Sequence, residues 1–200
     1  VVEPDATLLP GSHLEGTTTV GRRAVIGPNS RLVDAAVEDG ATVAYSVVLE
    51  ASVGPGATVG PFSYLRPGTR LEARAKAGAF VEMKSSTVGE DSKVPHLSYV
   101  GDTTIGRGAN VGAATVTVNY DGYEKHRTVI GDGARIGSDT MLVAPVEVGA
   151  DAYTGAGSVI TKDVPPGALA VERSEQRIVP GYAARRAARH EERTRNQQSS

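Results

Sequence analysis

The sequence predicts an all-β solenoid with a three-sided cross-section. Three observations carry that expectation: an aliphatic residue returns every six positions, a small residue sits two places before the next aliphatic, and glycine repeatedly follows the aliphatic. The aliphatic series reads Val20, Ile26, Leu32, then Val53, Val59, Leu65, Leu71, then Val88, Val94, Val100, then Ile105, Val111, and finally Ile130, Ile136, Leu142, Val148. The small residues include Ala24, Ser30, Ala57, Ser63, Thr69, Ser92, Ala109, Ala134, Thr140 and Ser158. Side chains alternate along a strand, so the small residue and the aliphatic both point inward. A narrow triangular tube has room for one large and one small side chain per side. Glycine and the turn residues after it relieve the corner backbone. Three such hexads close a coil of about 18 residues, and coils stack about 4.8 Å apart through parallel pairing. The period is that of a hexapeptide β-helix.

Taken in order, residues 1–19 read as a first, irregular coil. The phase slips by one residue near Val37, Val88 and Ile105, which implies adjusted corners. The stretch Asn119 to Thr128, NYDGYEKHRT, cannot be a hexad and is expected to leave the column as a loop, with Asp121-Gly122 as a turn. The run Val164-Pro165-Pro166-Gly167 ends the repeat. Residues 168–182 are expected to form an extended tail returning over the outside, Ala183 to Arg193 a short helix, and the polar stretch from Thr194 a disordered end. The resulting division is a β-helix over 1–165, a tail over 166–193 and a disordered end over 194–200.

Bulk properties bound the function. Two hundred residues suit one domain, and a formal net charge of −2 is no polycation built for nucleic acid. With no cysteine, disulfides and thiolate zinc sites are excluded. No apolar run approaches the roughly 20 residues of a membrane span and no signal-peptide pattern opens the chain, so a cytoplasmic location is expected. The first residue is Val1 rather than Met, which reads as an excised fragment.

Chemistry concentrates between Arg66 and Asp121. Arg66 and Lys84 lie 18 residues apart, each directly after an inward residue, so they are expected to stack on one edge. Two cations about 5 Å apart repel by about 1 kcal/mol in water and more in a sheltered groove, so an anion should sit between them unless a carboxylate such as Glu82 or Glu72 intervenes. His96, after Pro95, is of the residue type most often used for proton removal near neutrality. Tyr99 and Asn110 are outward polar residues beside it. Asn119 and Tyr120 open the excursion loop, and Lys125 lies on it. Ser138 and Ala156 are 18 apart and leave a shallow strip of backbone amides and carbonyls.

The strings PFSYLRPGT, GAFVEMK, VPHLSYVGD, NVGA, VNYDGYEKHRTVIGD, IGSDTMLVAPV and TGAGSVITKDVPPGALA together resemble the acetyltransferase domain of the bacterial GlmU family, in spacing as well as residues, from Gly60 to Arg173. That resemblance implies a left-handed winding. It implies acetyl transfer from acetyl-CoA to the 2-amino group of glucosamine-1-phosphate, feeding UDP-N-acetylglucosamine and cell-wall peptidoglycan synthesis. By resemblance His96 is the catalytic base and Asn119 polarises the thioester carbonyl or orients the amine. Arg66, Lys84, Tyr99, Asn110 and Lys125 hold the sugar phosphate. Ala113, Asn119, Tyr120, Ser138, Ala156 and Arg173 meet acetyl-CoA. The family is a homotrimer with active sites between subunits and needs no metal for this step. Mg²⁺ belongs to a uridylyltransferase domain that nothing in this chain resembles. The chain departs from the family at Ala114, where glycine is common, at Pro95, and in a tail whose aromatic is Tyr182 rather than Trp.

Competing readings are a γ-type carbonic anhydrase, another hexapeptide acyltransferase, and a non-catalytic β-helix scaffold. The first needs three closely spaced zinc histidines, and His13, His96, His126 and His190 lack that spacing. The NYDG loop and the EMK string argue against a sugar-nucleotide or serine acyltransferase.

Overall fold

A computed structural model describes residues 1–198. They form a parallel β-helix of short strands in three sheets of ten, nine and eight strands, followed by one C-terminal helix. We call the ten-stranded sheet face I, the nine-stranded sheet face II and the eight-stranded sheet face III. Each strand pairs in parallel with strands one coil away, as Thr58↔Lys76 on face I, Leu65↔Met83 on face II and Leu71↔Val88 on face III illustrate. Every aliphatic of the hexad series is buried inside the column, and so are the small residues that precede it. Burying one such aliphatic is worth about 1.5–3 kcal/mol. A single axial stack of them is therefore the core.

The slipped positions have a common cause. Wherever five residues rather than six separate successive inward aliphatics, the second residue after the first aliphatic adopts a left-handed backbone. Asp34, Tyr45, Glu50, Ser85 and Asp102 all do so, with φ between 43° and 49°. Such a residue turns the corner in one step fewer. The slips at Val48 and Val53 belong to the same class and escape the hexad reading.

Three sequence expectations are corrected. The first coil is not irregular: Val2 bridges Val20, Thr7 pairs with Val25 and His13 with Arg31. Its side chains keep the hexad, with Val2, Leu8 and Leu14 in line with Val20, Ile26 and Leu32, although Leu8 and Leu9 are exposed. The column continues past Pro165, since Gly167 takes φ 68° and lets Leu169–Ala170 pair with Tyr153–Thr154. The helix is longer than predicted. It spans Tyr182–Gln198, through the stretch assigned to a disordered end, and residues 199–200 of that assignment lie outside the described residues. Arg, Glu and Gln are good helix formers and no Gly or Pro interrupts them. Residues 173–181 are exposed throughout, and Arg173 ties the tail to the column, its guanidinium donating to the Ala156 carbonyl. Among the described residues no helix is long and apolar enough to cross a membrane.

Candidate active site

The site is built where face I turns into face II, and along the far edge of face II. Because Leu65 pairs with Met83, the residues that follow them, Arg66 and Lys84, occupy equivalent places on adjacent coils. One coil further, Lys84 pairs with Gly101. Arg66 is not bare: its guanidinium donates to Glu82 Oε1 at 2.9 Å, which raises its pKa. Glu72 is taken by Arg70. Among the described residues no such carboxylate is bound to Lys84. The Lys125 amine, brought over by the excursion loop, pushes the Lys84 pKa below the ordinary lysine value. Desolvation acts the same way, and the nearby Asp102 carboxylate opposes both. The expected row of two cations is thus a cluster of three, closed by Glu82 only at the Arg66 end.

The loop that delivers Lys125 is held at its base. Asn119 is 7% exposed, and its backbone carbonyl accepts the His126 amide at 2.8 Å. Tyr120 bridges Lys125 in antiparallel fashion. Asp121 accepts the amides of Tyr123 and Glu124 and faces His126 Nε2 at 2.7 Å. These contacts, the Glu124 amide foremost, depress its pKa. The Tyr120 hydroxyl is committed to the Gly122 carbonyl at 2.6 Å, so its contribution to a ligand is limited to the ring.

Asn119 Nδ2 donates to Asp102 Oδ2 at 2.6 Å. Gly101 lies beneath: a β-carbon there would stand 2.5 Å from Asn119 Nδ2 and 2.6 Å from Tyr99 Oη. No real β-carbon tolerates such contacts, so the missing side chain is what lets Tyr99 and Asn119 converge. Neither Gly101 nor Asp102 is singled out by the sequence reading. The signal available was the Gly-Asp pair at a slipped corner next to the histidine segment.

His96 ends the strand Lys93–His96 on face I and is exposed, with no hydrogen bond to its ring among the described residues. The corner it begins is continuous with the proposed coenzyme strip. Its carbonyl accepts the Ala114 amide, Ala113 accepts from Asp139, Ser138 from Gly157, and Ala156 from the Arg173 guanidinium at 3.0 Å. Three coil spacings, about 15 Å, separate His96 from Ala156. The amides of Ala113, Ser138 and Ala156 have no protein acceptor among the described residues. At the corner after face III the amides of Arg22 and Arg107 are taken by Asp39 and Asp132, while those of Ala73, Glu90 and Ala150 have no protein acceptor among the described residues either. A column of unused donors beside an imidazole suits an amide-bearing chain. Asn110 stands apart from the cation cluster. It opens a strand of face I over Lys93, across the corner from Tyr99.

Residues 127–162 match the family model for the bacterial transferase hexapeptide (six repeats), in accord with the left-handed winding. Over 182 residues the chain is 59% identical to the bifunctional protein GlmU of Streptomyces avermitilis, covering 91% of this chain and 38% of that protein. The chain belongs with the C-terminal portion of GlmU. The GlmU of Rhodococcus opacus is 60% identical over 181 residues, covering 90% of this chain and 36% of that protein. The chain therefore spans well under half the length of these GlmU relatives, and the rest of them has no counterpart in its 200 residues. Among the described residues no His, Asp or Glu group is arranged to hold a metal ion.

Proposed function

We propose that this chain transfers the acetyl group of acetyl-CoA to the 2-amino group of glucosamine-1-phosphate. The observation that carries the proposal is the three-cation cluster of Arg66, Lys84 and Lys125. It adjoins Tyr99 and Asn119 on one side of the corner that bears an exposed His96. The GlmU relationship supplies the substrate class. The cluster takes the sugar phosphate as charge-assisted acceptor, with Tyr99 and Asn110 holding further sugar oxygens. Pantetheine lies along Ala113, Ser138 and Ala156, with Tyr120 against it and Arg173 near the phosphorylated end of the coenzyme.

His96 takes a proton from the 2-ammonium, and the freed amine attacks the thioester carbonyl. Asn119 orients the reacting groups. The tetrahedral intermediate loses its second amine proton to solvent and collapses with cleavage of the C–S bond, and the departing thiolate takes the proton held by His96. No enzyme-bound acyl group is needed, since the chain has no cysteine and, among the described residues, no serine hydroxyl is hydrogen-bonded to a histidine ring. A homotrimer would wall the site, bringing Asn110 of one copy toward the cations of another. The product belongs to UDP-N-acetylglucosamine supply for peptidoglycan, in the cytoplasm. Thiol release from acetyl-CoA tests the reading, with glucosamine-1-phosphate as acceptor and glucosamine and serine as controls. Release with the sugar phosphate alone supports it. No release with any acceptor from folded protein favours a non-catalytic scaffold.

A further inference from the structure

We infer that Asp102 is a positioning residue for this reaction, locking the Asn119 carboxamide in one orientation over Gly101. The inference rests on the proposed acetyl transfer for its kinetic consequences and on the geometry alone for its structural ones. A carboxylate only accepts, so the Asn119 atom 2.6 Å from Asp102 Oδ2 must be the nitrogen. The carboxamide is planar, and fixing Nδ2 on that side fixes Oδ1 on the other. Asn119 then presents one defined acceptor and one remaining N–H to whatever lies beside Tyr99 and Gly101. Without Asp102 the group is free to flip, which exchanges donor for acceptor at the reacting amine and carbonyl.

Asp102 is itself held. Its amide donates to the Lys84 carbonyl at 2.9 Å and its carbonyl accepts the Thr128 amide at 3.3 Å, where the chain re-enters the column after the loop. Its φ of 49° belongs to the shortened corner, a conformation that Asp and Asn tolerate better than most residues. The same carboxylate lies close enough to Lys84 to act on its charge. Asp102 thus does two separable things: it accepts from Asn119, and it offsets positive charge beside the phosphate site.

Variants separate them. Asp102→Asn keeps an acceptor for Asn119 and removes the charge. Asp102→Ala removes both, and Asp102→Gly, which fits the left-handed corner, replaces it should Ala not fold. We expect Asp102→Ala to lower kcat by about 10- to 100-fold, the loss typical of a charge-assisted hydrogen bond. Asp102→Asn should recover most of that loss. Both should lower KM for the sugar phosphate, because a negative charge has left its site. A residue that merely held the corner would not split kcat from KM in this way. In the Asn119→Ala background, Asp102→Ala should cost no further kcat. Multiplicative losses, or full kcat in Asp102→Ala, would overturn the inference. Independently of turnover, one Asn119 side-chain amide proton should lie downfield in the NMR spectrum of the unliganded protein and move upfield in Asp102→Ala. If it does not move, the positioning contact is absent even where acetyl transfer is confirmed. If it moves while wild-type protein releases no thiol, the contact stands and the reaction assignment falls.

Discussion

Two clusters on this column use the same ingredients and reach opposite ends. At the corner after face III, Arg74 is gripped by both Glu90 and Asp91, and Arg107 reaches Glu90 as well. The Arg74 pKa is raised and that of Asp91 lowered, as expected where opposite charges satisfy one another. On the edge of face II, Arg66, Lys84 and Lys125 gather against Glu82 and Asp102, yet Glu82 serves Arg66 and Asp102 is engaged by Asn119. The Lys84 pKa moves down instead of up. A self-satisfied cluster is surface electrostatics. A cluster left with like charges side by side has room for an anion, and of the two only this one adjoins Gly101, over which Tyr99 and Asn119 converge.

The sharpest way to break the contrast is to remove the base that only the open cluster adjoins. His96→Ala should lower turnover by about 10²- to 10⁴-fold while coenzyme binding, followed by calorimetry, persists. Turnover near wild type would end the assignment of the base. Filling the floor comes next. Gly101→Ala puts a methyl where Tyr99 Oη and Asn119 Nδ2 converge, and a misplacement of about 1 Å there can cost on the order of 10²-fold in kcat. The fold should survive, since the atoms displaced are side-chain ends. Lys84→Ala should raise KM for glucosamine-1-phosphate by about 10-fold or more with a smaller change in kcat, as expected for a charged hydrogen bond made in ground and transition states alike. Smallest of all is Arg74→Ala in the closed cluster. Exposed ion pairs contribute little, so turnover and Tm should both stay close to wild type. A loss of activity there would erase the distinction between the clusters.

Much of this was legible in the sequence because a solenoid's register is set by its own period. Once Leu65 and Met83 are read as inward, Arg66 and Lys84 must stack, and Ser138 must stack under Ala156. What the period could not supply were contacts that depend on departures from it. The shortened corner at Asp102 follows from the five-residue step to Ile105, but that it turns a carboxylate toward Asn119 does not. The reach of Lys125 to Lys84 depends on a loop that leaves the repeat altogether. The pairing of the first coil was missed although Val2, Leu8 and Leu14 carry the six-residue step into Val20. The length of the helix was missed because a polar, Arg-rich composition was read as disorder when its helix propensity pointed the other way.

The central claim is that the face II cations stand ready for a phosphate, and the titration of the Lys84 ammonium, followed by NMR with and without glucosamine-1-phosphate, tests it most directly. Free, Lys84 should titrate below the ordinary lysine value because Lys125 repels its proton. Bound phosphate should raise that pKa, and by linkage sugar-phosphate affinity should be greatest below the free pKa and weaken as pH rises through it. A Lys84 pKa that does not respond to the sugar phosphate would contradict the account.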